Sequence, residues 1–246
     1  MIKNGLRQNE LDCLNKIKES FIYFKGVKKV FDNSDYLTME SILNSARQNE
    51  NHNDFPDFFF EGGIIEHFEV TASDETPKGS QYKIDDAYCR RENDKHFKQI
   101  DKEFIDSLHH PGTIRIEMAE DTHECFSYES FVKSFKRNVE HHLDSLKKSK
   151  YVNEVVAFLI EQQGASLGVY MNNIFNRFYR LSEDRSILEY IKETLTDVDY
   201  IIFIATDRYE VIDLSKIDVL IQRAKTGLDI RGERQKNVSL RLYNDM

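Results

Sequence analysis

The sequence predicts an α/β fold, a mixed central sheet flanked by helices, and two observations carry that expectation. The runs Val155 to Ile160 and Tyr200 to Ala205 are continuously apolar and rich in β-branched residues, as strands buried on both faces are. Stretches with apolar residues at helical spacing lie before and between them. Strands alternating with helices imply helices layered on a sheet. With no internal repeat, low-complexity tract or linker rich in Gly, Ser or Pro, residues 1–246 read as one α/β domain. Its first 50 residues form a helical segment packed on that core.

Taken in order, apolar spacing along Leu11, Leu14, Ile17, Phe21 and Phe24 predicts a helix over about Asn9 to Phe31. A second follows over Ser34 to Gln48, and Asn49 to Asp54 is a polar connector. Pro56 opens a strand, where a missing donor is tolerated, and Phe58 to Phe60 are strong strand formers. Gly62-Gly63 supplies the positive φ of a tight hairpin, whose second arm runs to Thr71. Ser73 to Ser80 reads as a polar loop. A helix from Asp94 to Leu108 stops before Pro111-Gly112. Ile114, Ile116 and Met118 alternate with Arg115 and Glu117 as in a strand. Tyr128, Val132, Phe135, Val139, Leu143 and Leu146 then mark a long amphipathic helix. Helical spacing extends over Val169 to Leu181 and Ser186 to Leu195, and Glu210 to Leu214 forms a final strand or edge.

Composition restricts the function classes. Hydrophobic residues make up 40% of the chain, including 17 Phe and 12 Tyr, which is ample for a core. The net charge of -9 argues against nonspecific coating of nucleic acid, which needs clustered Lys and Arg. The densest basic stretch, Arg223, Lys225, Arg231, Arg234, Lys236 and Arg241, reads first as a solvated tail of mixed charge. Cys13, Cys89 and Cys125 form no CxxC pair. Their spacing, the polar amino terminus and the lack of an apolar run near the ~20 residues of a membrane helix point to a cytoplasmic protein with no membrane partner.

Chemistry concentrates in Phe55 to Thr71. Side chains alternate along the second arm, so Ile65, His67, Glu69 and Thr71 share one polar face, while Ile64, Glu66, Phe68 and Val70 share the other. Pro56-Asp57 opening one strand and Glu69-Val70-Thr71 ending the next resembles the PD-(D/E)xK, or restriction-endonuclease-like, nuclease superfamily, over roughly residues 1–75. That resemblance implies a restriction-endonuclease-like core, a Mg²⁺ cofactor replaceable by Mn²⁺, nucleic acid as partner, and hydrolysis of phosphodiester bonds in DNA or RNA. It assigns the metal to the Asp57 and Glu69 carboxylates and the Val70 carbonyl, oxygen ligands of the kind a hard cation takes. Glu10 lies on the apolar stripe of the first helix, four before Leu14, and matches the glutamate that the family often adds from that helix. Its other reading is a first-turn acid favoured by the helix dipole.

The resemblance departs at one place: Thr71 stands where the family has lysine, and a hydroxyl supplies no positive charge. Either Lys78 or Lys83, in the segment that follows, brings an amine to Glu69, or the fold is kept without catalysis as a binding or interaction module. A third class is marked by Gly164-Ala165-Ser166-Leu167-Gly168, which fits the G-x-S-x-G nucleophile elbow of serine hydrolases. All eight histidines precede Ser166, so the triad order of that fold cannot be built. His67 shares the Glu69 face and could meet a metal or phosphate. His123 with Cys125 and the pair His141-His142 lack further ligands at zinc spacing, which favours structural roles. A homo-oligomer is left open.

Overall fold

The computed structural model describes residues 10–19, 33–51, 55–76, 79–81, 83–84, 87–88, 91–92, 94–95, 97–99, 114–123, 126–151, 154–164, 166–205, 208–232 and 235–244. Its centre is a six-stranded mixed sheet in the order β1 (Arg47–Gln48), β2 (Phe58–Phe60), β3 (Gly63–Thr71), β7 (Val155–Gln163), β10 (Tyr200–Ala205) and β11 (Arg208–Asp213). The three middle strands β3, β7 and β10 run parallel, and the outer pairings are antiparallel. Helices cover both faces, which is why the middle strands carry apolar residues at successive positions rather than alternate ones.

Two cores result. On one face Ile64, Phe68 and Val70 of β3, Val156, Phe158 and Ile160 of β7 and Phe203 of β10 pack under α4 (Tyr128–Lys148) and α5 (Arg185–Thr194). On the other face Phe58, Ile65, Ala157, Leu159 and Ile202 meet Cys13, Leu14 and Ile17 of α1 (residues 10–19) and Met39, Ile42 and Leu43 of α2 (Asn33–Ser45). Helix α4 buries Phe131, Phe135, Val139, Leu143 and Leu146 on a single stripe, and Ser127 caps it by accepting the Ser130 N–H at 3.0 Å. Each of these side chains contributes about 1.5–3 kcal/mol by leaving water.

The β2–β3 hairpin turns through Gly62, at φ +88°. Gly63 is required for closeness instead, since a Cβ there would sit 2.1 Å from the Val155 carbonyl oxygen. Between β3 and α4 a short hairpin pairs β4 (Glu75–Thr76) with β5 (Gly79–Ser80), where a loop was expected. The described positions between 81 and 99 are helical (α3), which places a helix before Asp94 as well as after it. β6 (Ile114–His123) pairs with β13 (Gln235–Asn244) as a separate antiparallel ribbon, so the basic carboxyl-terminal stretch is not simply a tail.

Two further expectations are corrected. The helix expected over Ser34 to Gln48 ends at Ser45, and Arg47–Gln48 is an edge strand. The helix expected over Val169 to Leu181 is a hairpin of β8 (Leu167–Met171) and β9 (Ile174–Phe178), reversed at Asn172 and Asn173, both in the left-handed region. Asn tolerates that conformation, and β-branched and aromatic residues on either side favour strands. β12 (Asp229–Gly232) pairs on the other side of β8, leaving β9 as an edge that exposes Ile174, Phe175 and Phe178, with Met171 at the end of β8 exposed beside them. Ser166 consequently lies between two strands, with Gly168 inside β8, and no helix follows it as a nucleophile elbow requires. No described helix is long and apolar enough to cross a membrane.

Candidate functional site

Buried polar residues converge where β3 and β7 continue past the start of β2. β2 begins at Phe58, paired with Ile65, so β3 beyond that point is flanked on this side by the residue before the strand, Asp57. The Asp57 carboxylate accepts the His67 N–H at 2.8 Å, and the Asp57 N–H donates to Glu66 Oε2 at 3.3 Å. Asp57 thereby takes over the backbone pairing that β2 would otherwise give.

On the α4 side, His142 Nδ1 lies 2.7 Å from Glu66 Oε1, and its ring stacks on Phe68 with centroids 4.5 Å apart. Burial, opposed by hydrogen bonds from Asp57, raises the Glu66 carboxyl to about 7. Burial also lowers the His142 imidazole to about 4. Both groups thus favour their neutral forms, and a protonated Glu66 donates to the bare Nδ1. Burial, then the Glu66 charge, raises Asp57 to about 6.

On the α1 side, His67 Nε2 is 3.3 Å from Glu161 Oε2. Burial works against the imidazolium, yet the hydrogen bond and charge of Glu161 leave His67 raised, and Glu161 is correspondingly lowered despite its own burial. The Cys13 thiol, 1% exposed, is also hydrogen-bonded to Glu161, and burial followed by the Glu161 charge holds it firmly as a thiol. A buried thiol of this kind is a poor nucleophile. Glu10, one turn before Cys13, acts electrostatically on Glu66 and His67.

Glu69 lies further along β3. Its Oε2 accepts from Lys83 Nζ at 3.2 Å and its Oε1 from Gln163 Nε2 at 3.4 Å. Thr71, by contrast, is buried, and its hydroxyl accepts the Ser73 N–H at 3.1 Å. Val70 is registered opposite Gln162. Just after β3, Lys133 and Arg137 of α4 line a cavity of ≈ 350 Å³ with Ser73, Asp74, Ser130 and Ser134.

No protein-family model, curated protein or solved structure matches the chain.

Of the residues singled out from the sequence, Asp57 is hydrogen-bonded to Glu66 and His67, Glu10 acts on that pair only electrostatically, and Glu69 meets Lys83. No hydrogen bond or ion pair joins Asp57 to Glu69 among the described residues, and Lys78, Cys89 and Cys125 lie outside them. Sequence reasoning missed Cys13, Glu66, His142, Glu161 and Gln163. Only the last two had a usable signal: Glu161 and Gln163 continue the alternation of β7 beyond its apolar run, on the face of Leu159. The other buried acids serve the scaffold. Asp184 caps α5 through the Ser186 and Ile187 N–H groups and accepts the Tyr128 and Tyr179 hydroxyls, and Glu210 accepts the Leu181 and Ser182 N–H groups.

Proposed function

We propose that this protein is a metal-dependent nuclease with a restriction-endonuclease-like core, hydrolysing phosphodiester bonds in DNA or RNA. The observation that carries the reading is the Lys83 ammonium, 3.2 Å from Glu69 at the carboxyl-terminal ends of parallel strands, where open α/β sheets bind ligands. It supplies from α3 the positive charge that Thr71 cannot. Pro56-Asp57 directly before β2 and Glu69-Val70-Thr71 ending β3 also follow the pattern of that superfamily.

The donor chemistry suits a hard cation. Asp57, Glu69, Glu10 and the Val70 carbonyl offer oxygen only, and each hydrogen-bonded carboxylate oxygen keeps a second lone pair. Asp57, raised by burial and by its acidic neighbour, belongs to a group of acids whose repulsion a divalent ion offsets. Asp57, Glu69 and Glu10 are not among the described groups whose ligand atoms all lie within 4.8 Å of one another, so in this reading they would close on Mg²⁺ or Mn²⁺ as it binds, and the ion would activate water and stabilise developing charge on the phosphate. Lys83 places its ammonium beside Glu69, orienting the attacking water and facing the phosphate. Gln163 fixes the other Glu69 oxygen, and Lys133 and Arg137 offer charge to a neighbouring phosphate of the strand.

A second reading, a module of the same fold that binds without cutting, is favoured by the separate partners of Asp57 and Glu69. One assay decides between them. Purified protein is incubated with plasmid, single-stranded DNA and RNA in Mg²⁺ or Mn²⁺, alongside Asp57→Asn, Glu69→Gln and Lys83→Met. Cleavage that is lost in all three variants supports the enzyme, and no cleavage of any substrate leaves the binding module.

A further inference from the structure

We infer that Cys13, His67 and Glu161 form a second metal site, selective for a divalent transition ion of the zinc type and distinct from the oxygen donors of Asp57 and Glu69. Among the described residues they are the one group of three His, Cys, Asp or Glu side chains whose ligand atoms all lie within 4.8 Å of one another. Three points so arranged share a centre no more than about 2.8 Å from each, so sub-ångström adjustment gives zinc distances of ~2.0–2.3 Å. The 3.3 Å between His67 Nε2 and Glu161 Oε2 already matches the edge, about 3.3 Å, of a tetrahedron with such bonds.

The donor set is one thiol, one imidazole and one carboxylate, which favours a borderline-soft ion over Mg²⁺. Charge balance favours it too. On binding, the Cys13 S–H bond breaks, its proton leaves to solvent, and any proton on His67 leaves with it. Thiolate and carboxylate then offset the two positive charges, so the buried site becomes neutral. Each ligand stands on a rigid element: Cys13 on the sheet-facing stripe of α1, and His67 and Glu161 on the adjacent parallel strands β3 and β7. Burial is high throughout, with His67 5% and Glu161 14% exposed in their side chains. The Asp57 carboxylate, bonded to the His67 N–H, holds that part of β3 in place. Three protein ligands leave a fourth position for water or another ligand.

The inference does not depend on the nuclease reading, and titration of the metal-free protein with Co²⁺ tests it without any activity. The expected result is one ion per chain, with a near-ultraviolet thiolate-to-cobalt band and the visible spectrum of a four-coordinate ion, both bleached by Zn²⁺ but not by Mg²⁺. Cys13→Ser, close to isosteric, should abolish the thiolate band, and His67→Ala should weaken binding beyond the ~10–100-fold cost of losing an outer-shell partner. Glu69→Gln should keep the band even if cleavage is lost, which separates failure of one reading from failure of the other. A wild-type titration with no thiolate band, or a band that survives in Cys13→Ser, overturns the site.

Discussion

Glu66→Gln should stabilise the protein above neutral pH and not below it. Glu66 is 6% exposed, accepts the Asp57 N–H and faces His142 Nδ1 at 2.7 Å. Its carboxyl is raised to about 7 from an ordinary value of 4.5, so the fold favours the protonated form. The associated stability is complete below the unfolded value and is lost as pH rises through the folded one. At 1.36 kcal/mol per unit the loss is about 3 kcal/mol between ~pH 4.5 and ~pH 7. A glutamine keeps the shape, accepts from Asp57 through its oxygen and donates to His142 through its amide, without ever ionising. Urea unfolding with chelator present should therefore show wild type and variant within about 1 kcal/mol near pH 5, and the variant ahead by ~2–3 kcal/mol near pH 8. His142, lowered to about 4, acts in the opposite sense, since its stability is present above 6.5 and lost as pH falls through 4. Equal effects of Glu66→Gln at both pH values would refute the shared-proton account.

Lys83→Met should change stability by less than about 1 kcal/mol, because the pair is exposed, while lowering cleavage by ~10²–10⁴. Thr71→Ala should do the reverse: it removes the buried hydrogen bond from the Ser73 N–H to the Thr71 hydroxyl at a cost of ~1–2 kcal/mol in urea unfolding and leaves the rate near wild type. Gly63→Ala, whose Cβ meets the Val155 carbonyl and the Phe60 ring, should cost about 3 kcal/mol by the same measurement. Asn172→Val should lower stability by ~1–2 kcal/mol through left-handed strain, whereas Asn172→Gly should be neutral or better.

Much of the sheet was legible because its signals are local. Val155 to Ile160 and Tyr200 to Ala205 are apolar at successive positions, and α4 repeats its apolar residues at helical spacing. The β8–β9 hairpin was not. Val169, Tyr170, Ile174 and Phe178 also satisfy a helical period, and the contrary signal, paired asparagines at a two-residue turn, occupies only Asn172 and Asn173. For the candidate site, Asp57, Glu69 and Glu10 stood out because a proline, a strand end and a helix stripe mark their positions. Cys13, Glu161 and His142 did not, since each gains its surroundings from a partner distant in sequence: His142 meets Glu66 across 76 positions and Glu161 meets His67 across 94.

That separation has a consequence for synthesis. β3 finds its parallel neighbour only when β7 has emerged, which at ~5–20 residues per second leaves the nascent hairpin waiting roughly 5–20 s. During this interval β3 presents an unpaired edge, with no Glu161 for His67 to meet. Closing so long a loop before its contacts form makes assembly slow. The Cys13, His67 and Glu161 group is therefore completed only when β7 docks, before β10 and β11 extend the sheet, and a chain truncated before Val155 would lack it.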